Sequence, residues 1–234
     1  MLEAVELTKR YGATTALDAV SFQVTPGEIF CLLGANGAGK TTTIHLFLDF
    51  LPRTSGRALV CGHDVHESPV AARSLTAYVP DVVQLYPALT GIENLRYFAD
   101  LAGVPPLATV ELTNLLGRAG LDPAAARRPV RTYSKGMRQK VGIAIALAKQ
   151  ARVLLLDEPL SGLDPKAANE FSTLLRELAD QGTAILMATH DLFRARDVGT
   201  HIGIMKHGRM VDRFGTSDFA HADVERLYLE HMAS

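Results

Sequence analysis

The feature that most constrains the fold of this chain is a glycine-rich loop between an apolar run and a helical pattern. Residues 34–41 read G-A-N-G-A-G-K-T and match G-x-x-x-x-G-K-[ST], a loop that binds phosphate groups. Residues 29–33 before it are all apolar, which is typical of a buried strand, and residues 41–51 after it predict a helix. A strand, a phosphate-binding loop and a helix in this order indicate the start of an α/β fold.

Each residue type in the loop has a physical role. Glycine lets the backbone turn so that several N–H groups face one anion, and the helix start adds free N–H groups and partial positive charge. Lys40 is expected to reach the outer phosphates of a nucleotide, and the Thr41 hydroxyl is expected to bind Mg²⁺. The other residues expected to bind the nucleotide here are Gly34, Asn36, Gly37, Ala38, Gly39 and Thr42.

Length and composition limit the class of protein. A chain of 234 residues is expected to form one compact unit, with room for an inserted lobe. The net charge of -1 argues against a surface built to bind nucleic acid. No leader is recognised, and no apolar run approaches the roughly 18 residues that span a bilayer. Cys31 and Cys61 lack metal-binding spacing and are expected to be buried free thiols. These features predict a soluble, cytosolic protein.

The hydrophobic pattern predicts a mostly parallel sheet covered on both faces, because buried apolar strands alternate with helices. The predicted strands are residues 2–7, 16–24, 29–33, 57–61, 75–79, 153–156, 184–188, 201–205 and 209–214. The predicted helices are residues 41–51, 91–101, 107–119, 135–149, 165–179 and 218–231. Strand signals are largely missing from residues 82–150, which therefore predict a helical lobe inserted into the α/β core.

Two adjacent carboxylates follow the apolar run 153–156. Side chains alternate along a strand, so Asp157 and Glu158 are expected to point in different directions at the edge of the sheet where ligands bind. We assign Asp157 to the metal and Glu158 to the general base that takes a proton from water. A solvated turn is the alternative, and the phosphate loop upstream argues against it.

A second anion-binding point is predicted at residues 132–140. Ser134 is suited to capping the amphipathic helix that follows, and Lys135 lies beside this helix start. Two anion sites in one chain suggest a composite nucleotide pocket. An ordinary capped helix is the alternative interpretation of these residues.

Together these motifs resemble the nucleotide-binding subunits of ABC transporters, and they occur in that family's order from Tyr11 to His190. The resemblance implies that Tyr11 stacks on adenine, that residues 133–137 are the family signature, and that His190 contacts the γ-phosphate. Residues 161–164 resemble the loop that crosses between subunits. The resemblance implies an ATPase with ATP and Mg²⁺ as cofactors. Its implied catalytic residues are Lys40, Glu158 and His190.

The resemblance also implies the fold and the assembly. The fold would be a P-loop NTPase core with a mostly parallel sheet, an N-terminal antiparallel β subdomain and an inserted helical lobe. The core would take about residues 1–81 and 151–215, the lobe about 82–150, and a C-terminal helix about 216–234. Two subunits would face each other head to tail, so that Ser134 and Gly136 of one cover the ATP bound by the other.

Two motifs depart from the usual form in the family. The signature usually reads L-S-G-G-Q, whereas residues 133–137 read Y-S-K-G-M, which keeps Ser134 and Gly136 but adds the charge of Lys135. The family generally has Gln or Glu where this chain has Asp81. Asp81 is therefore carried over as a third metal residue beside Thr41 and Asp157, acting through a bridging water, and a capping aspartate is the alternative.

The signature variant resembles single-domain export ATPases that pair with a separate permease. That resemblance implies a homodimer placed peripherally on the inner face of the cell membrane, in contact with a permease through a cleft between lobe and core. Two alternatives stay open: a non-transport ATPase that acts on a soluble nucleic-acid or ribosomal machine, and a regulatory switch with little turnover. The near-neutral charge argues against the first of these, and an intact Glu158 argues against the second.

Overall fold

Two β-sheets organise residues 1–217, which is the part of the chain that the computed structural model describes. The strands are β1 (Leu2–Tyr11), β2 (Thr14–Val24), β3 (Ile29–Leu33), β4 (Ser55–Val60), β5 (His63–Asp64), β6 (Thr76–Val79), β7 (Val153–Asp157), β8 (Ala184–Thr189), β9 (His201–Lys206) and β10 (Arg209–Gly215). The helices are α1 (Lys40–Phe47), α2 (Pro69–Leu75), α3 (Gly91–Leu101), α4 (Thr109–Arg118), α5 (Pro123–Ala126), α6 (Lys135–Ala148), α7 (Pro165–Asp180) and α8 (Leu192–Val198), with a 3-10 turn at Val130–Thr132.

The larger sheet has six strands in the order β10-β9-β3-β8-β7-β6. All its neighbouring pairs are parallel except β9 with β10, which confirms the predicted mostly parallel sheet. Leu33 pairs with Thr189, and Asp157 pairs with Ala188, so β3, β8 and β7 end together. This shared edge brings the phosphate loop, the two carboxylates and His190 to the same side of the sheet.

The smaller sheet is antiparallel, with the order β2-β1-β4-β5, and confirms the expected N-terminal β subdomain. It packs over one face of the larger sheet, and helices α3, α4, α6 and α7 pack against the other. Strand β3 shows this division. Phe30 and Leu32 lie in the core that faces the smaller sheet, while Cys31 and Leu33 lie in the core that faces the helices. A strand buried on both faces must be apolar at every position, which explains the unbroken run.

Between β6 and β7 the chain is helical, as predicted. Thr90 and Glu93 fix the start of α3 through a capping box: Thr90 Oγ1 accepts from the Glu93 amide at 3.2 Å, and Glu93 Oε2 accepts from the Thr90 amide at 2.7 Å. Ser134 caps α6, with its hydroxyl oxygen accepting from the Met137 amide at 3.3 Å. The cap at Ser134 was predicted from the sequence, whereas the helix that starts at Gly91 was predicted from its helical pattern alone.

Several predictions of local structure need correction. Helix α1 ends at Phe47 and not at residue 51, because Asp49 turns the chain with a φ of 55°. Strand β1 is longer than predicted, and β5, α2, α5 and α8 were not predicted at all. Cys31 is buried as expected, but Cys61 follows β4 at a φ of 50° and is partly exposed.

Two points concern the extent of the chain. The helix predicted at residues 218–231 lies outside the described residues. Within residues 1–217, no helix combines the length and the apolar composition that crossing a bilayer requires.

Candidate active site

The loop between β3 and α1 closes around the side chain of Lys40. Lys40 Nζ donates to the carbonyl oxygens of Gly34 at 2.7 Å and Ala35 at 3.1 Å, and the residue is only 6% exposed. Burial lowers the pKa of Lys40, while the nearby charges of Glu158 and Asp157 act in the opposite direction. The loop therefore holds one cation at its centre, positioned among backbone groups suited to phosphate.

Glycine is required in this loop for two physical reasons. Gly39 caps α1 at a φ of 106°, a conformation that other residues rarely adopt, and a Cβ there would lie 2.8 Å from the Ala16 carbonyl oxygen. Gly34 has an ordinary φ, but a Cβ on it would collide with the Met205 carbonyl oxygen of β9. The loop is thus held tightly against the sheet on one side, and it opens on the other at Gly37, where a Cβ would meet no atom within 4 Å.

We expect Gly34→Ala to lower the stability of the fold by about 1–3 kcal/mol, because the collision is with backbone that must shift. Gly117→Ala is the matched control. Gly117 lies in α4, where a Cβ would meet no atom within 4 Å, so alanine should add up to about 1 kcal/mol. Thermal unfolding measures both, and Gly34→Ala at or above the wild-type Tm would contradict the packing described here.

Thr41 and Asp157 place two oxygen atoms side by side at the start of α1 and the end of β7. Thr41 Oγ1 donates to Asp157 Oδ1 at 3.2 Å, and Asp157 is 8% exposed. Burial raises the pKa of Asp157, and the hydrogen bond from Thr41 acts in the opposite direction. Mg²⁺ prefers oxygen ligands and is commonly held by one or two protein oxygens together with phosphates and water. This pair therefore fits the predicted magnesium site.

The chain turns away from the direction of β7 at Glu158, the first residue after the strand. Glu158 has a φ of 48°, which is rare for a residue other than glycine. Its backbone N–H still donates to the Ala188 carbonyl at 2.9 Å, which fixes the turn. Its Oε1 lies 2.9 Å from His190 Nδ1 and 4.0 Å from Lys40 Nζ. A strained conformation of this kind is typical of functional sites, and here it directs the carboxylate toward the phosphate loop.

Two small cavities meet at Glu158. The first has a volume of about 180 Å³ and is lined by Ala16, Asn36, Gly37, Gly39, Lys40, Thr41, Thr42 and Glu158. The second, of about 220 Å³, is lined by Glu158, Leu160, Ser161, Gly162, Leu163, Thr189, His190, Asp191 and Arg194. The structure thus brings together most residues of the predicted phosphate loop with the predicted base and the predicted switch histidine. Gly34 and Ala38 belong to the same loop, but both are buried and neither lines the first cavity.

Three predicted nucleotide contacts lie away from this cavity. Tyr11 ends β1, is 47% exposed, and has Lys9 Nζ 4.6 Å from its ring centre. Ser134 and Gly136 lie at the start of α6, and within residues 1–217 they do not line the phosphate cavity. Stacking of Tyr11 on adenine and coverage of a second subunit's nucleotide by Ser134 and Gly136 therefore stay predictions.

The structure pairs Asp81 with Lys135 Nζ, which donates to Asp81 Oδ1 at 2.5 Å. Burial raises the pKa of Tyr78 to about 12, and the charges of Asp157 and Asp81 act in the same direction. A role for Asp81 at the metal stays a prediction. Its contact with Lys135 was missed because 54 positions separate the two residues.

The wall that Ala16 of β2 forms beside the loop was also missed, together with the support that Met205 of β9 gives it. Neither residue has a side chain that suggests chemistry. Only the sheet order places them beside the loop, so no local pattern in the sequence could have identified them.

The phosphate loop, the Thr41–Asp157 pair and the carboxylate at the end of β7 define a P-loop nucleotide-binding domain. Residues 17–161, more than half of the chain, match the family model described as ABC transporter. The chain therefore belongs to the ABC transporter family of ATP-binding domains, and domains of this family are ATPases.

Curated relatives agree with this assignment. The uncharacterized ABC transporter ATP-binding protein YdbJ of Bacillus subtilis is 39% identical over 87% of this chain and 66% of the relative. The probable multidrug ABC transporter ATP-binding protein YbhF of Escherichia coli is 36% identical over 93% of this chain and 37% of the relative. The daunorubicin/doxorubicin resistance ATP-binding protein DrrA of Streptomyces peucetius is 35% identical over 90% and 64%. The chain thus spans less than two thirds of the length of each of these relatives.

Solved structures have the same fold. The ATP-binding subunit of an ABC transporter superimposes with a TM-score of 0.84 at 31% identity, covering 98% of both chains. A dimeric ATP-binding cassette in a post-hydrolysis state, bound to ADP and Pi, gives a TM-score of 0.81 at 25% identity over 92% of this chain and 99% of that one. These matches confirm the predicted fold class.

Proposed function

We propose that this chain is the motor subunit of an ABC exporter, a homodimer that couples ATP hydrolysis to a separate membrane permease. The observation that carries the proposal is the position of Glu158, whose carboxylate lies between Lys40 of the phosphate loop and His190, beside an oxygen pair suited to Mg²⁺. Phosphoryl transfer needs positioned charge more than covalent chemistry, and these residues supply it.

The side chains divide the work. Lys40 neutralises charge on the outer phosphates of ATP. In the structure, the carbonyl oxygens of Gly34 and Ala35 hold its ammonium group at this place in the loop. Glu158 takes a proton from the attacking water, and His190 orients its carboxylate through the 2.9 Å contact. Bound Mg²⁺ would add charge neutralisation at the phosphates, held by Thr41 and Asp157. Asp81 is the proposed third residue at this metal.

A single chain does not supply every predicted contact to the nucleotide. Ser134 and Gly136 form the capped start of α6, away from the chain's own phosphate loop. We therefore propose that a second copy, placed head to tail, brings this helix start over the nucleotide, where backbone N–H groups can meet phosphate. The dimeric structural relative supports such an assembly.

An apolar groove between core and lobe fits the proposed permease contact. It has a volume of about 420 Å³, and its apolar wall is formed by Leu48, Phe50, Ala77, Tyr78, Pro80, Val83, Leu85, Phe98, Ala102 and Ile145. Phe50 is 62% exposed at its edge. A helical segment of a membrane protein is the proposed occupant, because grooves of this kind bind the apolar face of a helix. The multidrug and resistance names of the relatives support export as the direction.

We place the motor peripherally, on the inner face of the cell membrane, because a permease segment that enters this groove would hold it there. A second function, on a nucleic-acid or ribosomal machine, is less well supported. The net charge of -1 gives the chain no overall attraction for a polyanion.

Affinity purification tests the proposal directly. We expect the Glu158→Gln chain, captured from solubilised membranes with Mg·ATP, to bring down a multi-spanning membrane protein. The added change Phe50→Lys should lower the yield of that partner at least about tenfold, because Arg73 and Lys149 also line the groove and would leave a third, newly buried cation without a partner. The matched control is Val110→Lys on α4, which is 65% exposed and does not line the groove. Capture of soluble proteins alone, from a sample that forms the dimer, would favour the non-transport function.

A further inference from the structure

Two residues that depart from the usual family motifs contact each other within one chain. Lys135 Nζ donates to Asp81 Oδ1 at 2.5 Å. Asp81 follows β6 by two positions, on the side of the sheet edge that carries the metal pair, whereas Lys135 is the first residue of α6. The ion pair therefore connects the neighbourhood of the chain's own phosphate loop with the helix start proposed to cover the nucleotide of a second copy.

A third segment meets the same lysine. A Cβ built on Gly162 would lie 4.0 Å from Lys135 Nζ, and one built on Gly136 would lie 3.4 Å from Leu163 Cδ2. The loop after β7 thus packs on the start of α6 and beside the ion pair. A movement of Lys135 would therefore change contacts in the segment after β6, at the start of α6 and in the loop after β7.

The ion pair between Lys135 and Asp81 is weak enough to open. The side chains of Lys135 and Asp81 are 32% and 48% exposed, so water screens their attraction. An exposed ion pair of this kind changes the equilibrium constant between the states with and without the contact by about two- to fivefold. Lys135 gains nothing from its position at the first residue of α6, because a cation opposes the helix dipole there. The stability of the fold therefore does not explain why a lysine occupies position 135.

We propose that Lys135 is a positioning residue that holds Asp81 and so couples the two nucleotide sites of the dimer. The inference rests on the proposed head-to-tail assembly. A carboxylate paired with Lys135 is less available to a cation at its own site, and a lysine paired with Asp81 is less available to phosphate in the other site. When the contact opens, one charge is released for each of the two composite sites.

A double-mutant cycle tests this coupling through dimer formation, not through turnover. The four chains all carry Glu158→Gln and differ by Asp81→Asn, by Lys135→Met, or by both. Sedimentation with Mg·ATP gives the dissociation constant of each dimer. We expect Asp81→Asn to tighten the dimer about two- to fivefold more when Lys135 is present than when it is methionine. The difference should shrink in about 0.5 M NaCl, because salt screens exposed charges.

Equal effects of Asp81→Asn in both backgrounds would overturn the inference, since Asp81 would then act without Lys135. A coupling that salt does not weaken would overturn it as well, because such a coupling would come from packing and not from charge. If none of the four chains forms a dimer with Mg·ATP, the proposed motor function fails together with this inference. Dimers without coupling remove this inference alone.

Discussion

Glu158→Gln is expected to lower ATP turnover at least about a hundredfold while ATP stays bound, which is the usual size of a general-base effect. Glutamine keeps the shape and can still contact His190 Nδ1, but it cannot accept a proton from water. The hydrogen bond of Lys40 to the Gly34 carbonyl and the Thr41–Asp157 pair do not involve the Glu158 carboxylate, and only the 4.0 Å attraction between Lys40 and Glu158 is lost. Binding and hydrolysis should therefore separate, and the chain should accumulate as an ATP-bound dimer.

Phosphate release and fluorescent-nucleotide titration on the same sample measure the two effects. Glu170→Gln is the matched control: it is the same chemical change on α7, where the Glu170 side chain is 47% exposed and pairs with Lys140 of α6 at 2.7 Å. Neither residue lines the cavity at the phosphate loop, and a pair with one exposed partner contributes little, so turnover should stay within about twofold of wild type. Wild-type turnover in Glu158→Gln would show that another group takes the proton.

The part of this site that the sequence could predict is the part that depends on neighbours along the chain. The phosphate loop needs glycine at fixed spacings, and the predicted cap at Ser134 acts within three residues. The apolar runs of β3 and β7 mark strands buried on both faces. Each of these features is complete within about ten residues, so a local pattern can reveal it.

Contacts between distant segments could not be obtained in the same way. His190 Nδ1 reaches Glu158 Oε1 across 32 positions because β7 and β8 are neighbours, and that neighbour relation follows from the packing of the whole sheet. The family resemblance placed His190 at the γ-phosphate, whereas Glu158 was assigned as the general base from the carboxylate pair that follows a buried strand downstream of the phosphate loop. The short helices α2, α5 and α8 were missed because four to seven residues carry too little periodicity.

The Asp81–Lys135 contact shows how two unusual residues can explain each other. Taken singly, Asp81 is one methylene shorter than glutamate and Lys135 adds a charge at a helix start where a cation is unfavourable. Taken together, they neutralise each other at 2.5 Å. A comparison of motifs treats each position alone and cannot show this, whereas side-chain geometry shows it at once.

Lys40→Ala is expected to weaken ATP binding about a hundredfold or more. Lys40 is the only charged residue of the phosphate loop, residues 34–41, and the substitution removes that charge. Contacts between a buried charged group and its partner contribute about 1.5–3 kcal/mol, and an anion with several charges gains more than one such contact. The carbonyl oxygens of Gly34 and Ala35 would lose their donor as well, which leaves the loop less suited to an anion.

Lys149→Ala separates this effect from the general cost of removing a buried lysine. Burial lowers the pKa of Lys149 as it does that of Lys40, and Lys149 Nζ also donates to two carbonyl oxygens, those of Arg73 at 2.5 Å and Thr76 at 2.6 Å. The two substitutions should therefore destabilise the fold to a similar extent, as thermal unfolding would measure. Only Lys40→Ala should change the dissociation constant for fluorescent ATP. Retained affinity in Lys40→Ala, or an equal loss in both variants, would remove the phosphate contact from Lys40 and assign binding to the backbone N–H groups of the loop.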